Sequence, residues 1–198
     1  MSLLTHPPTR PDVIAIGSST GGPQALIALL HDLPRGIKTP ILITQHLPAT
    51  FTAIFAQNIA KAAGRACAEG QDGEEIRSGQ IYVAPGGFHM LVEKKGSANV
   101  IRITSDPPEN FCRPAVDPMF RAVAKVYGRN VLAVILTGMG RDGAAGGKAI
   151  VDAGGTVIAQ DEATSIVWGM PGAAAEAGIC SKILPLPEIA PAIAKLAT

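Results

Sequence analysis

Residues 13–33 read VIAIGSSTGGPQALIALLHDL, and this stretch decides the fold class. The apolar run 13–17 predicts a buried strand, and the segment after Pro23 predicts a helix, since proline is favoured in a first helical turn. Apolar runs at 40–44, 131–137 and 156–160 predict further buried strands. Strands that are apolar throughout and alternate with helices form a parallel sheet covered on both faces. The prediction is an α/β fold, a three-layer, doubly wound and mostly parallel sheet.

An antiparallel hairpin segment is predicted within this fold. Residues 80–83, 88–93 and 100–104 alternate like strands of such a segment, and KKGSAN at 94–99 is typical of a hairpin loop. Further helices are predicted where apolar residues recur at helical spacing, beginning near Phe51, Pro118, Ala144 and Glu188. Residues 1–11 are polar and proline-rich, typical of a tail or the remnant of a linker. Residues 12–198 are predicted to form one domain.

The composition excludes several classes of protein. The chain has 198 residues and a formal net charge of +1, so it has no electrostatic reason to bind nucleic acid or an anionic membrane. Its apolar runs are too short for direct membrane insertion, and the start, MSLLTHPPTRP, does not resemble a signal peptide. Cys67, Cys112 and Cys180 are odd in number and widely spaced, which predicts free thiols in a reducing cytoplasm. No residues have the spacing of metal ligands.

Three loops that follow predicted strands carry reactive side chains. Ser19 lies in GSSTGG, His46 in QHLP and Asp142 in GMGRDG. In an open parallel sheet, ligands bind beyond the carboxyl ends of the strands. Serine, histidine and aspartate are the residue types of a nucleophile, a general base and the carboxylate that orients the base. The sequence therefore predicts a site for nucleophilic catalysis at this edge of the sheet.

Each of these residues also has a plainer interpretation. Gly17, Ser19 and Gly21 match the G-x-S-x-G pattern of a nucleophile elbow, but a glycine-rich turn that only caps the next helix is the alternative. For the base, His46 is favoured over His89 because it follows a parallel strand directly. Asp142 precedes a glycine at a helix start, where aspartate is also a common turn or cap residue.

A second hypothesis is a nucleotide-binding module. Gly138, Gly140 and Gly143 spell G-x-G-x-x-G between a predicted strand and helix, and Asp161 follows at the end of the next strand. This is the pattern of a dinucleotide-binding loop. Asp142 argues against it, because its negative charge would lie beside the pyrophosphate. Too little chain also follows Asp161 to complete a nucleotide-binding unit.

Six motifs in order give the sequence a resemblance. They are IGSSTGGPQAL (16–26), ITQHLP (43–48), YVAPGGFHM (82–90), RPAVDPMF (113–120), LTGMGRDGA (136–144) and DEATSIVWGMPGAA (161–174). Together they make residues 12–198 similar to the catalytic domain of the chemotaxis protein-glutamate methylesterases, the CheB family. The order serine, histidine, aspartate differs from that of the α/β-hydrolases, so the G-x-S-x-G match does not imply the hydrolase fold.

The resemblance implies roles for particular residues. Ser19 would be the nucleophile, His46 the base and Asp142 the orienting carboxylate. Thr20 and the backbone N–H of Met139 would form the oxyanion site. The implied reaction hydrolyses glutamate methyl esters on methyl-accepting chemotaxis receptors through an acyl-enzyme, releasing methanol, with deamidation of receptor glutamines as a related activity. No cofactor is implied.

The resemblance also implies partners. The substrate would lie on the cytoplasmic helices of a receptor, which requires an open cleft. Arg113 could position an acidic receptor surface, although a salt bridge within its own loop is the alternative. The family usually carries a receiver domain before the catalytic domain, and none precedes Val13 in this sequence. Either the sequence is an excised catalytic domain or the natural protein lacks a receiver. A receiver, if one exists, would act in cis or in trans, and an exposed apolar patch near Ser19 would support its docking.

Overall fold

The computed structural model describes all residues, 1–198. In chain order its strands are β1 (Val13–Ser18), β2 (Ile41–Gln45), β3 (Cys67–Glu69), β4 (Ile81–Val83), β5 (His89–Lys95), β6 (Ala98–Thr104), β7 (Val131–Ile135), β8 (Thr156–Gln160) and β9 (Lys182–Leu184). Seven of them form one parallel sheet in the order β3-β4-β2-β1-β7-β8-β9. The other two, β5 and β6, form an antiparallel hairpin.

Helices cover both faces of the sheet. They are α1 (Gly22–Asp32), α2 (Ala49–Ala63), α3 (Val116–Tyr127), α4 (Ala144–Asp152), α5 (Met170–Glu176) and α6 (Leu186–Ala197). One core lies between the sheet and helices α1, α2 and α6. A second core lies between the other face and helices α3, α4 and α5 together with the hairpin. Every residue of the central strands is buried, as a parallel sheet with two covered faces requires. The predicted three-layer α/β architecture is confirmed.

The change of direction in strand order determines where a ligand can bind. From β1, the chain crosses to β2 on one side, and β7 later pairs with the other side of β1. The carboxyl ends of these strands lie at one edge, since Gly17 is in register with both Thr44 and Ile135. Ligands of open α/β sheets bind in the crevice at such a switch point. The crevice here is formed by the loops after β1, β2 and β7.

The structure corrects the prediction for residues 80–83. The sequence pattern groups them with the antiparallel segment, but β4 lies in the main sheet and pairs in parallel with β2 and β3. Its three residues are all buried, which is the mark of an interior parallel strand. Helix α5 and strand β9 were not predicted, because seven and three residues are too few to show a periodic pattern.

Two apolar residues of α2 also depart from the prediction. Phe51 and Ile54 follow helical spacing, yet they are exposed. The buried side of α2 instead includes Thr52, Phe55 and Ile59. Residues 1–11 contain no helix or strand, but Leu4 and Thr9 bond to backbone carbonyls of the domain. The three cysteines are free, and none of the helices has the length and apolarity needed to cross a bilayer.

Two phenylalanines give a test of the core on the hairpin side. Phe120 on α3 is fully buried, whereas Phe51 on α2 is 54% exposed. We expect Phe120→Ala to lower the free energy of unfolding by about 3–5 kcal/mol, because it removes a buried ring and leaves a cavity. Phe51→Ala should stay within about 0.5 kcal/mol of the wild type. Urea unfolding measures both, and equal losses would contradict the assigned burial.

Candidate active site

Ser19 lies in the turn between β1 and α1. Its N–H donates to the Thr137 carbonyl at 3.0 Å, and its own carbonyl accepts from the Gly22 N–H at 2.8 Å. The Gln45 amide donates to the same carbonyl at 2.8 Å. Gly21 has a φ of 81° and directly precedes α1, so the turn uses a conformation that favours glycine. The backbone of Ser19 is therefore held from β2 and β7 as well as from its own turn.

The two neighbouring serines have different environments. Ser18 is fully buried, and its hydroxyl donates to the side-chain oxygen of Gln45. Ser19 is partly exposed, and its hydroxyl makes no hydrogen bond to another protein group. A nucleophile must reach both solvent and substrate, so Ser19 is the serine whose hydroxyl is available for chemistry.

His46 follows β2 directly, and its N–H donates to the Ser18 carbonyl at 3.1 Å. Its ring nitrogen Nε2 lies 2.7 Å from Asp142 Oδ2. The other ring nitrogen, Nδ1, lies 3.6 Å from the Cys112 sulfur. Burial and the charge of Asp142 raise the pKa of the Cys112 thiol, so this thiol stays protonated and points a weak donor at Nδ1. The structure thus brings His46 and Asp142 together, and no hydrogen bond joins Ser19 to the imidazole.

The Asp142 carboxylate is almost completely buried and accepts four hydrogen bonds. Besides His46, the donors are the Asn110 amide at 2.8 Å and the backbone N–H groups of Val116 and Asp117 at 2.7 and 2.9 Å. Burial raises the pKa of the Asp142 carboxyl, but the hydrogen bonds from His46 and from the start of α3 outweigh it, so the pKa lies below its usual value. The group is therefore an ionised acceptor held at a helix N-terminus.

Asp117 forms the reciprocal contact. It lies in the first turn of α3, and its Oδ1 accepts from the N–H groups of Gly143 and Gly146, at 2.9 and 2.7 Å, where α4 begins. Its Oδ2 accepts from Asn110 at 2.8 Å. Burial raises the pKa of the Asp117 carboxyl. The loop before α4 thus supplies a carboxylate to α3, and α3 supplies one to α4.

This contact bears on the nucleotide-binding hypothesis. In that hypothesis a pyrophosphate would lie on the N–H groups at the start of α4, but the Asp117 carboxylate occupies them. An acidic residue at the position of Asp161 binds the ribose in such modules, but the Asp161 side chain accepts hydrogen bonds from Thr164, three residues later in its own turn. The geometry of the loop therefore gives the hypothesis no support.

Gly138 allows the β1 and β7 loops to approach closely. A Cβ there would lie 2.8 Å from Ser19 Cβ and would also clash with the Met170 sulfur. Two backbone N–H groups flank this contact, those of Thr20 and Met139, and neither donates to a protein acceptor. Unpartnered N–H groups beside a free hydroxyl are the arrangement that an oxyanion site needs.

The chain is similar to known proteins along nearly its whole length. The sequence profile of the family described as CheB methylesterase matches residues 14–193. The chain belongs to the CheB methylesterase family. The crystal structure of the Thermotoga maritima CheB methylesterase catalytic domain superposes with a TM-score of 0.91 and 36% identity, covering 95% of this chain and 100% of that chain.

Relatives within the CheB family are closer in sequence. The protein-glutamate methylesterase/protein-glutamine glutaminase 1 of Paramagnetospirillum magneticum is 63% identical over 198 residues, which is 100% of this chain and 52% of that protein. The protein of Azospirillum brasilense named protein-glutamate methylesterase/protein-glutamine glutaminase is 62% identical over 190 residues, 96% of this chain and 48% of that protein. The chain therefore spans about half the length of the curated relatives it matches.

Two further sequence candidates lie outside the hydrogen-bonded core of the site. His89 is buried, with one ring nitrogen 2.9 Å from the Pro107 carbonyl and the other accepting from the Ala115 N–H, so it serves the packing of the hairpin. Arg113 is exposed and donates to the Ser105 and Asp106 carbonyls. It forms no salt bridge within its loop. No group of three or more His, Cys, Asp or Glu side chains is arranged to hold a metal ion.

Sequence reasoning missed several residues that support this CheB-family site. Gln45 ends β2 and holds Ser19, while Gln160 ends β8 and accepts from the Thr137 N–H at 2.8 Å. Both glutamines are buried at the carboxyl end of an apolar strand. A polar amide in that position was the available signal, because a buried amide must find hydrogen-bond partners. Asn110, which bonds both buried carboxylates, gave no such signal within its polar loop.

The lowered pKa of Asp142 predicts how stability depends on pH. The stability that this group contributes is present above the ordinary carboxyl pKa of about 3.9 and is lost as pH falls through the lowered folded-state value. We expect wild type to exceed Asp142→Asn most in unfolding free energy near neutral pH, and the difference to shrink below about pH 4. Asp117, whose pKa is raised, contributes with the opposite sign in both proteins. Urea unfolding from pH 7 to 3 is the measurement, and a constant difference would contradict the assignment.

Proposed function

We propose that this chain hydrolyses glutamate methyl esters on methyl-accepting chemotaxis receptors and releases methanol. Ser19 is the nucleophile, His46 the general base and Asp142 the carboxylate that orients the base. The observation that carries the proposal is the 2.7 Å contact between His46 and buried Asp142, at the sheet edge where Ser19 keeps its hydroxyl free. Relatives that match the whole domain are named protein-glutamate methylesterase/protein-glutamine glutaminase, which supports the same activity here.

The orientation of the imidazole supports a separate role for each ring nitrogen. Nε2 carries the proton that it donates to Asp142, so Nδ1 is the basic nitrogen. In the proposed first step, the Ser19 hydroxyl turns to Nδ1, loses its proton there and attacks the ester carbonyl. The N–H groups of Thr20 and Met139 stabilise the oxyanion that forms.

The intermediate then collapses. The bond from the carbonyl carbon to the methoxy oxygen breaks, and the proton on Nδ1 passes to that oxygen, so methanol leaves and a glutamyl-Ser19 ester remains. Water next gives a proton to Nδ1 and attacks this ester, which restores the hydroxyl and releases free glutamate. A glutamine side chain would follow the same path with ammonia as the leaving group. Deamidation is therefore proposed as a second activity of the same residues, and no cofactor takes part.

An exposed apolar rim near the site is the proposed contact surface for macromolecular partners. We define it by Phe51, Phe111, Met139 and Ile166, which are at least 54% exposed and follow or flank the loops that carry His46, Asp142 and Ser19. Large apolar groups that remain exposed mark interaction surfaces. We propose that the rim receives the cytoplasmic helices of a receptor, which places the enzyme in the cytoplasm. Arg113 is exposed and follows Phe111 by two residues in the sequence, and we propose that it attracts an acidic receptor surface.

A receiver domain is the second proposed partner of this rim. The curated relatives are about twice as long as this chain, which leaves room for such a domain. A receiver seated on the rim, in cis or in trans, would compete with the receptor for Ser19. This competition would account for an apolar surface of this kind beside a catalytic cleft.

Substitution of the nucleophile tests the proposal. We expect Ser19→Ala to abolish methanol release from a methylated receptor fragment, because it removes the hydroxyl that is proposed to attack the ester. Ser97→Ala is the matched control, since Ser97 is exposed in the turn between β5 and β6. Methanol and ammonia are measured together, so that esterase and deamidase activities are separated. His46→Ala and Asp142→Asn should lower the rate without adding to the loss in Ser19→Ala.

Retention of most activity by Ser19→Ala would reject the serine mechanism. The same protein is titrated with a dinucleotide. If it binds at millimolar concentration and Gly143→Ala removes the binding, the nucleotide-binding hypothesis is supported.

The close approach at Gly138 gives a separate test. We expect Gly138→Ala to lower turnover by roughly 100-fold, since its Cβ would force Ser19 away from the productive position. Gly36→Ala is the control, because a Cβ at Gly36 meets nothing within 4 Å. Steady-state rates of methanol release compare the two variants. Wild-type turnover in Gly138→Ala would contradict the assigned position of the nucleophile.

A further inference from the structure

Asn110 joins the two buried carboxylates beneath the site. Its side-chain nitrogen lies 2.8 Å from Asp142 Oδ1 and 2.8 Å from Asp117 Oδ2. An amide nitrogen carries two hydrogens, so one hydrogen bonds to each carboxylate. Both carboxylates are at least nine-tenths buried, and neither has a lysine or arginine beside it in an ion pair. The neutral amide is the side-chain donor that these two like charges share.

The bond to Asp142 completes a symmetric set of donors. Oδ2 accepts from the His46 ring and from the Val116 N–H, while Oδ1 accepts from Asn110 and from the Asp117 N–H. Two donors on each oxygen fix the plane of the carboxylate as well as its position. Without Asn110, Oδ1 keeps a single donor, and the group can rotate about its bond to Cβ. That rotation would turn Oδ2 away from His46.

The backbone at Asn110 adopts an unusual conformation for this contact. Glu109 and Cys112 exchange two backbone hydrogen bonds, of 3.0 and 2.9 Å, across a tight turn. The two residues between them have left-handed φ angles of 53° at Asn110 and 62° at Phe111. Turns of this kind favour Asn-Gly, and a phenylalanine in this left-handed conformation has a cost in backbone strain. The Phe111 side chain is fully exposed, so burial does not offset that cost.

The turn also contacts the histidine. Cys112 closes it, and the Cys112 sulfur lies 3.6 Å from His46 Nδ1. One short turn thus touches Asp142 through its second residue and His46 through its fourth. Strained backbone held by side-chain contacts of this kind is typical of functional sites.

We infer that Asn110 is a positioning residue, whose amide fixes the Asp142 carboxylate so that Oδ2 faces His46. It acts through Asp142 and touches neither substrate nor reacting atoms. The inference rests on the proposed function, because it assigns Asn110 to the same serine mechanism. It goes beyond that function in naming the group that sets the geometry of the histidine and its carboxylate.

Two substitutions remove the amide in different ways. Asn110→Gly keeps a residue that adopts left-handed φ without strain, and it deletes both hydrogen bonds. Asn110→Asp keeps the shape but replaces the donor by an oxygen facing two carboxylates. If the glycine variant does not fold, the aspartate variant supplies the same comparison. Thermal unfolding confirms that each variant is folded at the assay temperature.

The first readout does not depend on the receptor. A fluorophosphonate reacts with an activated serine, since the serine oxygen bonds to phosphorus and fluoride leaves. We expect wild type to be labelled at Ser19 and both Asn110 variants to be labelled roughly 10- to 100-fold more slowly. With a methylated receptor fragment, kcat should fall by a similar factor while KM stays within about twofold, because Asn110 acts on the base and not on substrate binding.

The second readout reports the histidine directly. The proton between His46 Nε2 and Asp142 should give a low-field NMR resonance, assigned by its absence in Asp142→Asn. We expect this resonance to shift or broaden beyond detection in Asn110→Gly. Glu109→Gln is the matched control, because it breaks the bidentate ion pair that ties the same turn to Arg121 on α3 and touches neither carboxylate. Glu109→Gln should show the same resonance as wild type, and its labelling rate should stay within about twofold of the wild-type rate.

The outcomes separate this inference from the proposed function. If the fluorophosphonate does not label Ser19 in wild type, the serine mechanism fails. If wild type and Asn110→Gly are labelled equally and share the same resonance, the mechanism stands and the role of Asn110 is overturned. Equal slowing in Asn110→Gly and Glu109→Gln would also overturn it, because the loss would then reflect the turn as a whole.

Discussion

The rest of the site depends on a pair of reciprocal contacts, in which an aspartate near the start of each of two helices accepts hydrogen bonds from the start of the other helix. Asp142, in the loop before α4, accepts hydrogen bonds from the N–H groups at the start of α3. Asp117, at the start of α3, accepts hydrogen bonds from the N–H groups at the start of α4. Each carboxylate satisfies backbone donors that a helix start leaves unpaired, and each favourably meets the positive end of a helix dipole. These reciprocal contacts fix the start of α3 relative to the start of α4. Because Asp142 takes part in them and also bonds to His46, the position of His46 is set by the fold and not by a mobile loop.

Close contacts in the same region explain several glycines in and after the loop that follows β7. Gly146 contacts the backbone of Asp117, where a Cβ would lie 2.9 Å from its carbonyl oxygen. Gly138 brings the β7 loop against Ser19. The G-x-G-x-x-G spacing of Gly138, Gly140 and Gly143 arises from the close approach at Gly138 and from left-handed φ angles of 93° at Gly140 and 98° at Gly143, whose N–H also donates to Asp117. The pattern resembles a phosphate-binding loop because both need backbone to approach closely, but the anion at this helix start is a side chain of the chain itself.

The sequence predicted the edge of the sheet better than the support beneath it. Apolar runs such as 131–137 identify interior strands on their own, and parallel strands bring the loops of Ser19, His46 and Asp142 to one edge whatever their separation in sequence. The orientation of β4 depended on tertiary pairing, which an apolar run of three residues does not encode. Asn110, Gln45 and Gln160 act through hydrogen bonds between distant segments. The partners in these three bonds could not be identified from local pattern, because the bonds join residues 23 to 32 positions apart.

Hydrophobic residues make up 47% of the sequence, and the architecture explains this share. Both cores are lined by alternate residues of the same strands, so Ile14 faces one core and Val13 the other. A sheet covered on both faces has no polar side, and each interior strand must be apolar at every position until it reaches the ligand edge. At that edge the strands end in Ser18, Gln45 and Gln160, all buried. The transition from apolar to buried polar residues within a strand therefore marks the edge of the sheet at which the proposed site lies. A sequence can show that transition without any alignment.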